Sequence, residues 1–109
     1  MNKNNTLRFF LAGALMAACT FNATAENESF SAEDFKKGAA VYSQNCGPCH
    51  GPRMLDPQGA FDLRTFPKND RNRFITSVTK GKNQMPPWGG LLSPAEIESL
   101  WAYVFIGEK

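Results

Sequence analysis

Cys46-Gly47-Pro48-Cys49-His50 is the stretch on which the reading of this chain turns. It puts two thiols one helical turn apart and an imidazole directly after them. The whole sequence has 109 residues, three Cys and a single His. A zinc site made by protein alone wants about four such ligands, so little room is left for one, and any mechanism that needs two imidazoles is excluded. The formal charge of +2 is too weak for a nucleic-acid binder, and 42% apolar residues suit one small globular domain rather than a disordered chain. There are no internal repeats and no low-complexity segments.

The N-terminal context decides the compartment. Residues 1–25 carry Lys3 and Arg8 but no acid, an apolar run from Phe9 to Ala18, and the small-residue end Ala23-Thr24-Ala25. A basic start, a short apolar core and an A-x-A site are the marks of a secretory signal peptide, and cleavage is expected after Ala25. The apolar run is about ten residues, too short to cross a bilayer of roughly 30 Å as a helix. A second reading takes Met16-Ala17-Ala18-Cys19 as a lipoprotein signal with Cys19 lipidated; an uncleaved anchor is a third. Cleavage after Ala25 leaves residues 26–109 with no net formal charge and with Cys46 and Cys49 as their two cysteines.

C-x-x-C-H in an exported chain is the attachment pattern for c-type haem. Two thiols one turn apart can each add to a vinyl group on one porphyrin edge, and the next residue then sets an imidazole under the iron. The rival reading takes Cys46-Gly47-Pro48-Cys49 as a thioredoxin-like redox pair. In that setting a strand precedes the pair, a helix follows it, and Trp usually stands before the first Cys. Here Asn45 precedes it, the upstream segment is helical in pattern, and no βαβ alternation is visible. A bland structural Cys pair is the remaining alternative.

Outward from this stretch the pattern is all-α, with three helices and long Pro-rich loops. Residues 26–30 read as a frayed lead-in. Ser31 and Asp34 form a capping box that opens a helix to about Asn45, with Phe35, Gly38, Ala39 and Tyr42 on one face. Residues 46–68 read as loop, punctuated by Gly and Pro. A short helix is expected from Asp70 to Lys80, with Phe74 and Val78 inward and Gly81 as its stop. Residues 82–92 form another loop. The last helix has Ser93 as N-cap, Pro94 in its first turn and Glu96 closing a capping box; Ile97, Leu100, Trp101 and Val104 share a face, and Gly107 ends it. A chain this short with this much loop buries too little apolar surface by itself. A disulfide between Cys46 and Cys49 would constrain almost nothing in the unfolded chain, so a large bound group is expected to complete the core.

The second axial ligand follows by elimination. Haem in electron carriers commonly takes His and Met. A second His does not exist, and Met54 lies too close behind His50 to reach the opposite haem face. Met85 follows a loop and a helix and can cross, with Pro86 and Pro87 stiffening the backbone behind it. The competing reading of Met85 is an ordinary core methionine.

These motifs together resemble the small bacterial class I cytochromes c over nearly all of residues 26–109, which implies the cytochrome c fold wrapped around one covalent haem c. Gly38, Tyr42 and Cys46 sit at that family's four-residue intervals, and Leu100 and Tyr103 match the Leu-x-x-Tyr that its C-terminal helix packs against the Gly and the aromatic. Phe61-Asp62-Leu63-Arg64-Thr65-Phe66-Pro67 and Met85-Pro86-Pro87-Trp88 are similar to cytochromes that serve periplasmic quinoprotein alcohol dehydrogenases. One departure stands out: the family places a Pro about a dozen residues after the proximal His, and its carbonyl accepts the imidazole N–H. This chain has Pro57 and Pro67 but none at that spacing, and Pro57 is taken as the acceptor.

From Arg64 to Lys82 the chain carries Arg64, Lys68, Arg71, Arg73, Lys80 and Lys82 against Asp70 alone. The functional reading is a basic rim that steers the protein onto an acidic redox partner; the plain one is a solvated charged face. Arg64 is the first choice for a haem-propionate contact and Trp88 a second donor. The expectation is therefore a periplasmic, monomeric, one-electron carrier with His50 and Met85 as axial ligands. It would take electrons from a dehydrogenase and pass them to a respiratory oxidase, with no small-molecule substrate. The alternatives are a five-coordinate haem enzyme or small-ligand sensor, and a thiol–disulfide oxidoreductase.

Overall fold

The computed structural model describes Gly13 and residues 28–108. The signal peptide, its cleavage after Ala25 and lipidation at Cys19 lie outside the described residues. Within them the chain is helical and has no strand: α1 is Ala32–Asn45, α2 Gly47–His50, α3 Arg71–Lys80 and α4 Pro94–Ile106. The expected three helices are present, and the reading of residues 46–68 as loop needs correction. It contains the single turn α2 and two short 3₁₀ turns, Pro52–Met54 and Leu63–Thr65. Helical periodicity needs at least two turns to show, so elements of one turn leave no pattern in a sequence.

Both long helices start as their capping residues dictate. Ser31 Oγ accepts from the Asp34 amide (3.1 Å) and the Asp34 carboxylate accepts from the Ser31 amide (2.9 Å). Ser93 and Glu96 repeat the arrangement at 3.1 and 3.0 Å. Each box satisfies two of the amides that a helix start leaves unpaired. The bound amide and hydroxyl of Ser31 hold the Asp34 carboxyl below the usual carboxylate range, and those of Ser93 do the same for Glu96. Gly107, at φ 75°, ends α4.

α1 and α4 cross at Gly38. A Cβ there would lie 2.0 Å from the Ser99 carbonyl oxygen and 2.9 Å from Tyr103 Cβ, so the closeness of the crossing depends on the missing side chain. Tyr103 packs on Tyr42 (centroids 5.0 Å) and on Phe35 (5.3 Å). Tyr103 was legible as the contact; Ser99, whose backbone makes the closest approach, was not. α4 is buried on more than the expected stripe, because Ser99, Ala102 and Tyr103 are covered along with Ile97, Leu100, Trp101 and Val104. It is the central helix, with α1 on one side and α3 on another, and Phe74 of α3 meets Trp101 at 5.1 Å.

The lead-in is not frayed where it is described. Glu28 accepts a hydrogen bond from the indole N–H of fully buried Trp101 (2.6 Å), and Phe30 stacks edge-on against Phe105 at 5.4 Å. Arg71 pairs with both Glu28 and Glu98. These contacts tie the start of the domain to α3 and α4. The Glu28–Trp101 bond spans 73 residues of sequence, and no local pattern announces a contact of that range.

Candidate functional site

The site begins where α1 ends. The Cys46 amide donates to the Tyr42 carbonyl (2.8 Å), and the Cys46 carbonyl accepts from both Cys49 (3.2 Å) and His50 (2.9 Å). With Pro48 in its first turn this is enough to wind Gly47–His50 into one helical turn. Gly51 then reverses the chain at φ 87°, where a Cβ would fall 1.6 Å from the Leu55 carbonyl oxygen. Tyr42 reaches across to donate its hydroxyl to the Gly51 carbonyl at 2.7 Å. Cys46, Cys49 and His50 are thus brought onto one turn whose entry and exit are both held by Tyr42.

His50 Nδ1 lies 2.9 Å from the Phe61 carbonyl oxygen. A carbonyl can only accept, so the proton is assigned to Nδ1 and the lone pair to Nε2. This corrects the choice of Pro57 as acceptor. The carbonyl sits eleven residues after His50, close to the family spacing, but on a Phe. Any residue carries a carbonyl, so spacing was the useful signal and residue type was not.

Both thiols are free. Burial, and then the neighbouring Cys49, push the Cys46 thiol up to about 11. Thiol–disulfide exchange runs through the thiolate, and its attacking Cys normally has a lowered pKa. Cys46 has the opposite, which counts against the oxidoreductase reading.

Met85 comes from a separate loop beyond α3. It exchanges two backbone hydrogen bonds with Lys82, Lys82 N–H to Met85 O at 3.1 Å and Met85 N–H to Lys82 O at 2.9 Å. Its side chain is half-buried, whereas Met54 is only 1% exposed and forms part of the core with Tyr42 and Leu100. Trp88 opens a 3₁₀ turn, Trp88–Gly90, and packs against the core.

Arg64 is already engaged. Its Nε and Nη2 donate to the two carboxylate oxygens of Asp62 at 2.9 and 2.8 Å, and this fork holds Asp62 below the usual carboxylate range. Others of the basic run are also engaged by the fold. Arg73 lies over the Phe66 ring (5.0 Å) and Lys68 over Phe105 (5.6 Å), while Arg71 is paired with acids. Lys80 and Lys82 remain exposed beside the Met85 turn.

The residues present fit a covalently attached haem. Among the described residues no three His, Cys, Asp or Glu side chains gather to hold a bare metal ion, and an iron carried in a ring asks the protein for only one or two axial donors. Two cysteines outside any disulfide and an imidazole whose Nε2 carries the lone pair stand on one turn. Phe61 and Leu55, large apolar side chains close by in the chain, are 49% and 44% exposed, which is apolar surface that a porphyrin would cover.

Comparison with known proteins agrees. Residues 33–104 match the family described as cytochrome C oxidase, cbb3-type, subunit III. Cytochrome c6 of Synechococcus sp. (strain ATCC 27167 / PCC 6312) is 36% identical over 104 residues, covering 91% of this chain and 89% of that protein. The structure of cytochrome c6 from the diatom Phaeodactylum tricornutum superposes with a TM-score of 0.54 at 31% identity, covering 67% of this chain and 92% of that one. The c-type cytochrome NirC gives 0.53 at 32% identity, with 72% and 96% covered. No described helix is long and apolar enough to cross a membrane. With the attachment turn, the helical fold and these relatives in agreement, the chain belongs to the cytochrome c family as a small monohaem class I member carrying covalent haem c, and its work is electron transfer with redox partners rather than catalysis.

Proposed function

We propose that this is a periplasmic electron carrier whose haem is bonded to Cys46 and Cys49 and ligated axially by His50 and Met85. Residues 1–25 act as the signal peptide and residues 26–109 as the cytochrome domain. The observation that carries the reading is the 2.9 Å contact from His50 Nδ1 to the Phe61 carbonyl, because it orients the ring and leaves Nε2 as the metal-binding nitrogen. When bound, the haem iron supplies a one-electron couple between Fe(II) and Fe(III).

The protein's own part is restraint. The Tyr42 bridge to Gly51 holds the attachment turn, and the Phe61 carbonyl fixes the imidazole tautomer. The Lys82–Met85 pairing holds the loop that presents the thioether. With His50 and Met85 both held this way, a bound haem would need little rearrangement between oxidation states, which favours electron transfer over chemistry at the metal.

Donors and acceptors are redox proteins. A quinoprotein-type dehydrogenase upstream and a respiratory oxidase downstream are the pair that the Phe61–Pro67 and Met85–Trp88 stretches suggest. Lys80 and Lys82 supply the exposed positive charge that would steer such a partner. Arg64 would have to leave Asp62 to reach a propionate, so Trp88 becomes the better candidate for that contact.

The test is the thioether-to-ferric charge-transfer band of the oxidised holoprotein. The reading expects the band in the parent and its loss in Met85→Ala. A band that survives in Met85→Ala sinks the ligation; an absent band in the parent favours the five-coordinate alternative. For the partners, stopped-flow reduction by a purified quinoprotein dehydrogenase should be fast and should slow with added salt. Reduction at a rate indifferent to the dehydrogenase removes that donor.

A further inference from the structure

The end of α3 and the loop from Met85 to Gly90 meet at two glycines. At Gly81, which ends α3 at φ 78° and ψ 162°, a Cβ would lie 2.7 Å from the Met85 carbonyl oxygen, 2.9 Å from Pro87 N and 3.0 Å from Pro86 C. At Gly89, a Cβ would lie 2.7 Å from Thr79 Cγ2 and 2.9 Å from the Thr79 carbonyl oxygen. The neighbouring Gly90 faces open space, with nothing within 4 Å of its Cβ position. Two of the three glycines are therefore places where backbone touches backbone, and they bracket Met85 together with its two prolines. The Lys82–Met85 hydrogen bonds close the same unit from inside.

We infer that the last turn of α3, Thr79 to Gly81, is the seat that positions Met85, and that Gly89 against Thr79 is a positioning contact for the axial thioether. The inference rests on Met85 being the axial ligand. A thioether is a weak ligand whose hold on iron depends on its being kept in place. The two prolines stiffen the loop but do not anchor it. Anchoring comes from α3, which is itself packed on α4 through Phe74 and Trp101. A side chain at Gly89 meets a helix backbone that cannot yield cheaply, so the loop must lift. Gly81 makes the same contact, but its backbone conformation is open essentially to Gly alone, so substitution there mixes strain with loosening. Gly89 has no such restriction and gives the cleaner test.

The experiment titrates the ferric holoprotein with imidazole, which competes with the thioether for iron, and follows loss of the charge-transfer band. Gly89→Ala should bind imidazole roughly tenfold more tightly than the parent, in the range seen when outer contacts of a metal ligand are removed, and its reduction potential should fall. Gly90→Ala should match the parent in both. Thr79→Ala, which removes the methyl against Gly89 without adding bulk, should move in the same direction as Gly89→Ala by a smaller amount; it stands as the test if Gly89→Ala does not accumulate. If the band disappears in Met85→Ala while Gly89→Ala, Thr79→Ala and Gly90→Ala all bind imidazole as the parent does, the seat is refuted and the ligation stands. If the band persists in Met85→Ala, the ligation fails and the inference with it.

Discussion

Gly38→Ala separates two opposing effects whose difference has a sign. In an isolated helix, Gly to Ala stabilises by about 1 kcal/mol, because Ala restricts the unfolded chain more. At Gly38 the new methyl would stand 2.0 Å from the Ser99 carbonyl oxygen, where ordinary contact begins at 3.4 Å. The obstacle is helix backbone, so α1 and α4 must move apart by more than an ångström. Overpacking of this kind costs about 1–3 kcal/mol. The same movement loosens the Tyr42–Tyr103 pair, now at 5.0 Å, and an aromatic pair contributes about 0.5–1.5 kcal/mol. Setting the helix gain against both losses leaves a net destabilisation of about 0.5–3.5 kcal/mol, centred on roughly 2. At roughly 4–8 °C per kcal/mol for a domain of this size, Tm should fall by about 10 °C. Thermal unfolding of the ferric holoprotein followed by far-UV circular dichroism measures it. A Gly38→Ala protein at least as stable as the parent would refute the crossing as the source of the close packing.

Three other outcomes follow from named contacts. Met54→Ala should keep the charge-transfer band while losing about 2–5 kcal/mol in denaturant unfolding, since Met54 is core; loss of the band there would reverse the roles of the two methionines. Glu28→Ala leaves the buried Trp101 indole N–H without its acceptor and should cost about 1–3 kcal/mol, with Glu28→Gln restoring most of it in the same unfolding assay; equal stability of all three proteins would return residues 28–30 to a frayed end. Tyr42 is raised by burial from 10.0 to about 12, so the folded state prefers the protonated phenol. That stability is complete below pH 10 and is lost as pH rises toward 12. Phenolate absorbance from Tyr42 should therefore rise toward pH 12 rather than near pH 10, with stability falling across the same window, and a Tyr42 phenolate signal already formed near pH 10 in a folded protein would contradict the buried Tyr42–Gly51 bridge.

What was readable from sequence was whatever local chemistry enforces. Ser31 with Asp34 and Ser93 with Glu96 each sit three residues apart, and a capping box needs nothing further away, so both long helices begin where expected. The attachment turn was readable because thiols and imidazole must share one turn. Pairings set by tertiary closeness were not readable. Glu28 finds Trp101 only after α4 has folded against the start of the domain. Phe61 supplies a backbone carbonyl, which is the same for every residue type, so His50's acceptor could be placed by spacing but not by identity. Arg64 turns to Asp62 two residues before it, and a cation's choice between a neighbouring carboxylate and a propionate leaves no mark in the sequence. Ser99 was missed because a polar residue on a helix reads as exposed, whereas here its hydroxyl bonds back to the Glu96 carbonyl at 2.6 Å and lets the position be buried.

Everything proposed for this chain depends on a porphyrin joined through two thioethers at Cys46 and Cys49. Intact-mass measurement of the protein from the periplasmic fraction, with fragmentation of the peptide that carries Cys46–His50, tests it most directly. The expected result is a chain beginning at Glu26 with a single haem, its mass located on that peptide and both cysteines blocked to alkylation. A colourless, folded chain whose two thiols both alkylate would contradict it.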